Sequence, residues 1–145
     1  MKNSKREEVI SHSAIKLFKI VLDIESYPEY IPWCTKMIIN QRNKNEIYAD
    51  MYVKYKFILS QKFGSHIKFD KNNLTIETSY IEGPLEDLTT KWKFQEIDKK
   101  KSKIFFDVNF EFKNYLHQKV AETFYPLIEN KMIDSFKKRA DNSLD

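Results

Sequence analysis

The chain has 145 residues, of which 41% are hydrophobic and 32% charged, and it carries a formal net charge of +4. A domain of this length buries roughly 70% of its unfolded surface, so one solid core is feasible and a disordered chain is excluded. A single cysteine rules out an internal disulfide, and no apolar run is long enough to span a membrane as a helix.

The leading MKNSKREE is charged and lacks the apolar stretch of a secretory signal. A short edge strand is predicted over Val9–His12. Ser13 then suits a helix N-cap, and Ala14, Leu17, Phe18, Val21 and Leu22 recur at helical spacing up to Asp23. The segment 27-YPEYIPWC-34 follows. Pro28 and Pro32 forbid a long helix there, so a single helical turn around Ser26–Ile31 is expected. This corner either turns the chain or forms the mouth of something.

The middle of the chain alternates. Ala49, Met51, Val53, Tyr55 and Phe57 take one phase, and Tyr48, Asp50, Tyr52, Lys54 and Lys56 the other. Phe63, Ile67 and Phe69 continue the apolar phase against Lys62, His66 and Lys68. Leu74, Ile76, Thr78 and Tyr80 make a further strand, and Gly83-Pro84 ends it. Leu88, Thr90, Trp92 and Phe94 come next, and Ile104, Phe106, Val108, Phe110 and Phe112 make the clearest strand. This period of two, broken by short polar connectors at 43–45, 70–73 and 98–102, predicts antiparallel hairpins with one wet and one dry face.

A long helix is predicted from Tyr115 to Ala140. Leu116, Val120, Phe124 and Leu127 form one apolar stripe; Ile128, Met132, Phe136 and Ala140 form a second, rotated about the axis, with Pro126 between them and a bend expected there. Burial then dictates the architecture: a single α+β domain over 1–145, a curved antiparallel sheet of six or seven strands wrapped around one long C-terminal helix. One helix about 10 Å wide cannot fill so broad a concavity. Large inward side chains either plug the remainder or line a pocket.

Catalytic constellations are not visible. His12, His66 and His117 are far apart, no metal-ligand spacing occurs, and two glycines cannot build a phosphate-cradling loop. Cys34 reads as an ordinary buried thiol. Asp107 and Glu111 share the wet phase with Lys91 and Lys93, as cross-strand charge pairs would. A binding protein without a required cofactor is expected, not an enzyme; a cyclase-type enzyme would need polar residues deep in the tunnel.

Four segments in order carry a resemblance: HSAIKLFKIVLDIESYPEYIPWC (12–34), EGPLEDLTTKWKF (82–94), FEFKNYLH (110–117) and MIDSFKKRA (132–140). Together they resemble the coenzyme Q-binding and ribosome-association-toxin branch of the START-like polyketide cyclase/dehydrase superfamily, over about residues 7–140. The resemblance implies a helix-grip fold with an apolar cavity between sheet and helix. It also implies an isoprenoid quinone (ubiquinone) or similar lipid as ligand, in support of respiratory electron transport. The other function it implies is a ribosome-associating, toxin-like regulator that blocks subunit association. Candidate cavity residues are Tyr30, Ile31, Trp33, Met51, Val53, Phe63, Trp92, Phe110, Phe124, Leu127, Ile128 and Met132. Lys99, Lys100 and Lys101, with Lys137, Lys138 and Arg139, are candidates for contact with an anionic membrane surface or with ribosomal RNA; DNA is not an expected partner. The second cluster also has a plain structural reading, as charge complementing a helix C-terminus. A cytoplasmic protein with peripheral contact at the inner membrane is expected, since the fold leaves no room for a transit peptide. Pro126 departs from the family's usual helix former and bears on the shape of the tunnel.

Overall fold

The computed structural model describes residues 2–55 and 58–143, with side chains described for 2–54 and 61–143. Strand β1 (Lys2–Ile10) leads into helix α1 (Ala14–Leu22) and a 3₁₀ turn (Ile24–Glu29). Strands β2 (Cys34–Arg42), β3 (Glu46–Tyr55), β4 (Ile58–Asp70), β5 (Thr75–Glu82), β6 (Leu85–Asp98) and β7 (Lys101–Phe112) follow, then helix α2 (Tyr115–Asp141). The strands form one antiparallel sheet in the order β1-β7-β6-β5-β4-β3-β2. It is a meander of six hairpin-linked strands, with the first strand laid beside the last.

The hairpins close through side chains that mimic backbone partners. The Asn43 carboxamide oxygen accepts from the amides of Asn45 and Glu46, and Asp70 accepts from Asn72 and Asn73. Between β5 and β6 the chain turns on Gly83 at φ +142; a Cβ there would lie 2.7 Å from the Lys62 carbonyl oxygen, so no other residue fits.

Helix α1 starts as its sequence requires, with the Ser13 hydroxyl accepting from the Lys16 amide at 3.3 Å. It buries Ala14, Leu17, Phe18 and Val21, and Phe18 meets Phe94 edge-on. Helix α2 is capped by Asn114, which accepts from the His117 amide at 3.1 Å, and runs unbroken past Pro126.

Two expectations need correction. The first strand is not confined to Val9–His12. It spans nine residues and pairs along its whole length with β7. Its inward positions Ser4, Arg6 and Glu8 are polar, so an apolar alternation could not reveal it. The first apolar stripe of α2 is also split: Leu116 is 70% exposed and Leu127 43% exposed, while Val120 and Phe124 border the space under the helix. The face that packs carries Ala121, Ile133, Phe136 and Ala140, with Gln118 and Glu129 buried among them. Phe57 and the side chain of Tyr55, both assigned to the dry phase, lie outside the described residues.

Arg6, Glu8 and Ser4 meet α2 in a polar seam. The Arg6 guanidinium lies 3.2 Å from Glu8 and 3.7 Å from Glu129, and it also donates to Asn130. Lys137 reaches Glu8 at 3.1 Å, and the Tyr125 hydroxyl donates to Glu129 at 3.0 Å. Glu129 is 8% exposed, so this cation and these donors are what make its burial tolerable. Burial alone would raise the Glu8 pKa; its hydrogen bonds from Lys137 and Arg6 outweigh that and hold it below the ordinary value.

Candidate functional site

Between the concave sheet and α2 lies a hollow of two lobes. The inner lobe, about 160 Å³, is walled by the end of α1, the 27–33 corner, β3 to β7 and the later turns of α2, including Met132 and Phe136. The outer lobe, about 200 Å³, lies between β3, β4, β6 and β7 and the earlier turns of α2, where Val120, Ala121, Phe124, Tyr125 and Ile128 face it. Trp33, Met51, Phe63 and Leu88 border both lobes and form a waist between them. Together the lobes reach the lower end of the ~300–1,000 Å³ typical of small-molecule sites.

Size decides where the space lies. Toward the end of α2, Phe136 packs edge-on to Trp92, Tyr27 and Tyr30 with centroids at 5.6, 5.6 and 5.9 Å. That end is solid. Toward its start the buried residue is Ala121, too small to reach the sheet, and the outer lobe opens above Val108 and Phe110.

Ten of the twelve sequence candidates line the hollow. Ile31, Trp92 and Met132 lie on the inner lobe, and Val53, Phe110, Phe124 and Ile128 on the outer; Trp33, Met51 and Phe63 lie on both. Tyr30 and Leu127 do not line it. Leu127 points outward because the helix buries the opposite face. Tyr30 sits behind Phe136, with the Arg139 guanidinium 4.9 Å from its ring centroid, and its buried hydroxyl has no hydrogen-bond partner among the described residues. Burial raises its pKa despite that cation. The aromatic–proline corner therefore does both jobs. Tyr27, Ile31 and Trp33 face the hollow; Tyr27 also donates to the Val21 carbonyl, pinning the corner to α1. Cys34 is buried, and burial pushes its thiol up to about 11, which leaves almost no thiolate near neutrality.

Sequence reading missed part of the wall. Ser65 was passed over as a small polar residue between Phe63 and Ile67, although it shares their phase, and it joins Thr78 and Thr90 on the inner lobe. Leu88, Ala121 and Tyr125 were not singled out either. Among the described residues, no Asp, Glu, Lys, Arg or His lines either lobe, so none of them offers a guest an acid–base pair. Among the described residues, no group of three or more His, Cys, Asp or Glu could hold a metal ion.

The two basic clusters separate. Lys99, Lys100 and Lys101 are exposed at the β6–β7 connection and form no salt bridge with a described residue. The α2 cluster is already engaged: Lys137 pairs with Glu8, and Arg139 with Glu29 at 3.5 Å. Only Lys138 of that trio stands clear of a described ion pair.

A curved antiparallel sheet gripping one long helix over an apolar hollow defines a helix-grip ligand-cavity protein. The chain belongs to the polyketide cyclase / dehydrase and lipid transport family, whose model matches residues 10–137. It is 31% identical over 136 residues to the ribosome association toxin RatA of Rickettsia prowazekii, covering 92% of each chain. It is 25% identical over 135 residues to the mitochondrial coenzyme Q-binding protein COQ10 of Drosophila melanogaster, covering 90% of this chain and 55% of that one. The Zhui aromatase/cyclase from Streptomyces sp. R1128 shares the fold with a TM-score of 0.88 at 11% identity, covering 97% of this chain and 93% of that one. No helix among the described residues is long and apolar enough to cross a membrane.

Proposed function

We propose that this protein is a non-catalytic, cytoplasmic regulator that associates with the ribosome, and that its hollow is a ligand site subordinate to that role. The observation that carries the reading is the end-to-end likeness to a ribosome association toxin, 92% of both chains. The likeness to the coenzyme Q-binding protein is weaker and covers about half of that protein. Among the described residues no carboxylate, imidazole or amine faces the hollow, which argues against cyclase chemistry there.

Contact with ribosomal RNA falls to the free lysines. Lys99, Lys100 and Lys101 lie side by side on one exposed connection, available to neutralise phosphates and release counterions. Lys137 and Arg139 are held by carboxylates of their own chain, and their proposed role passes to the structural seam. The test is sedimentation of purified subunits with the protein in sucrose gradients at moderate salt. Co-sedimentation with a subunit, a fall in joined ribosomes, and loss of both in a K99E/K100E/K101E variant are expected. An unchanged subunit profile on overexpression overturns the reading.

The hollow itself favours a second reading, in which the protein carries a quinone or another lipid and docks on anionic lipid heads through the same lysines. Its size suits a ring or a medium-length chain better than a full polyprenyl tail. Extraction and mass spectrometry of protein purified from a quinone-producing host tests this directly. Recovery of no quinone, and none bound on addition, removes it.

A further inference from the structure

The inner lobe has a polar floor. Ser65 on β4, Thr78 on β5 and Thr90 on β6 line it together. Thr78 pairs directly with Thr90 across β5 and β6, and Ser65, opposite Tyr80, stands diagonal to Thr78. All three lie on the inward phase of the sheet beside buried Phe63, Ile67, Ile76 and Trp92, yet each keeps some accessible surface. That surface faces the hollow. No hydrogen bond to another described residue occupies any of the three hydroxyls. The outer lobe differs: its wall is almost wholly hydrocarbon and aromatic ring, and the Tyr125 hydroxyl is already committed to Glu129.

We propose that the hollow binds a single-chain amphiphile with an uncharged, oxygen-bearing head, its head on the Ser65–Thr78–Thr90 row and its chain passing the Trp33–Phe63 waist into the outer lobe. A charged head is disfavoured because no Lys, Arg or His among the described residues lines either lobe, and a carboxylate or phosphate stripped of water there goes uncompensated. A pure hydrocarbon is disfavoured because it would desolvate three hydroxyls and give them nothing. An alcohol or carbonyl satisfies the row, and the chain gains by burying apolar surface in the outer lobe. The site does not depend on the ribosome reading: gradients test the lysines of the exterior, and the probes below test the interior.

The experiment uses the full chain with three ten-carbon probes, 1-decanol, decane and decanoate at pH 8. Binding is read by calorimetry and by the fluorescence of Trp33 and Trp92, which border the hollow. Decanol is expected to bind tightest, at least roughly tenfold tighter than decanoate. In the shape-conserving T78V/T90V variant, decanol is expected to weaken roughly five- to tenfold, with decane unchanged or improved. Decanoate binding as tightly as decanol overturns the uncharged head. Undiminished decanol affinity in the variant overturns the hydroxyl subsite, and no decanol binding to the native chain overturns both. Should near-UV circular dichroism show the double variant unfolded, Ser65→Ala and the ranking of the three probes on the native chain decide by the same criteria.

Discussion

The two halves of α2 do opposite work with similar composition. Beyond Pro126 the helix is an anchor: Ile133, Phe136 and Ala140 are buried, and Phe136 is ringed by Tyr27, Tyr30 and Trp92. Before Pro126 it is a roof. Ala121 and Gln118 face inward there, while Tyr115 and Leu116 are 70% exposed and the outer lobe opens beneath. Hydrophobicity does not separate the halves. The size of the inward residue does, because a phenylalanine fills the concavity that an alanine leaves open. Stability is thus concentrated in the later half, which borders the inner lobe, while the earlier half roofs the outer lobe.

The sharpest way to break this contrast is Phe136→Ala. Removing the central ring of the anchor should cost about 3–5 kcal/mol, read as a fall in the urea midpoint. Arg6→Ala attacks the polar seam that ties β1 to α2. It leaves Glu129 buried without its cation, and because Arg6 is itself partly exposed the cost should be about 2 kcal/mol by the same measurement. Ala121→Leu turns the roof into an anchor. Stability should change by less than about 1.5 kcal/mol while decanol binding falls sharply, as calorimetry would show.

A smaller effect is tied to pH. Glu8 has its folded pKa lowered, so its bonds to Lys137 and Arg6 stabilise the protein above the unfolded value and are lost as pH falls through the folded one. The melting-temperature gap between the native chain and Glu8→Gln should therefore shrink from about pH 6 toward about pH 3. Least of all, Leu127→Ser on the exposed face of α2 should leave the urea midpoint within about 0.5 kcal/mol of the native chain.

Much of the molecule was legible in its residues. The alternation from Ile104 to Phe112 gave β7 and its dry face, and Ser13 marked the start of α1 where the structure places it. The breadth of the sheet against one helix left plug or pocket open, and it was the family resemblance that implied the pocket. Two strands escaped because their patterns are irregular. β1 turns Ser4, Arg6 and Glu8 toward a polar stretch of α2, and β2 shifts register at Cys34/Lys36 and again at Ile39/Gln41, which scrambles period two. The face of α2 was misjudged for a related reason. Its inward side carries Gln118, Ala121 and Glu129, and Gln118 is drawn in to accept from the Phe112 amide at 2.6 Å. Such a role belongs to the tertiary fold and leaves no trace in a helical periodicity. Tyr30 was misplaced because an aromatic beside prolines looks the same whether it faces a cavity or backs the ring that does.

The pairing of β1 with β7 has a consequence for how the chain is made. Lys2 lies opposite Phe110 and Ile10 opposite Ser102, whereas β2 through β7 each join a neighbour one hairpin away. Strands two to seven can zip in the order they are synthesised, while the first must wait, unpaired, until the last has left the exit tunnel. Its partners Glu129 and Lys137 arrive later still. The N-terminal segment is therefore the closing clasp of folding, and an unfinished chain exposes the β7 edge until that clasp shuts.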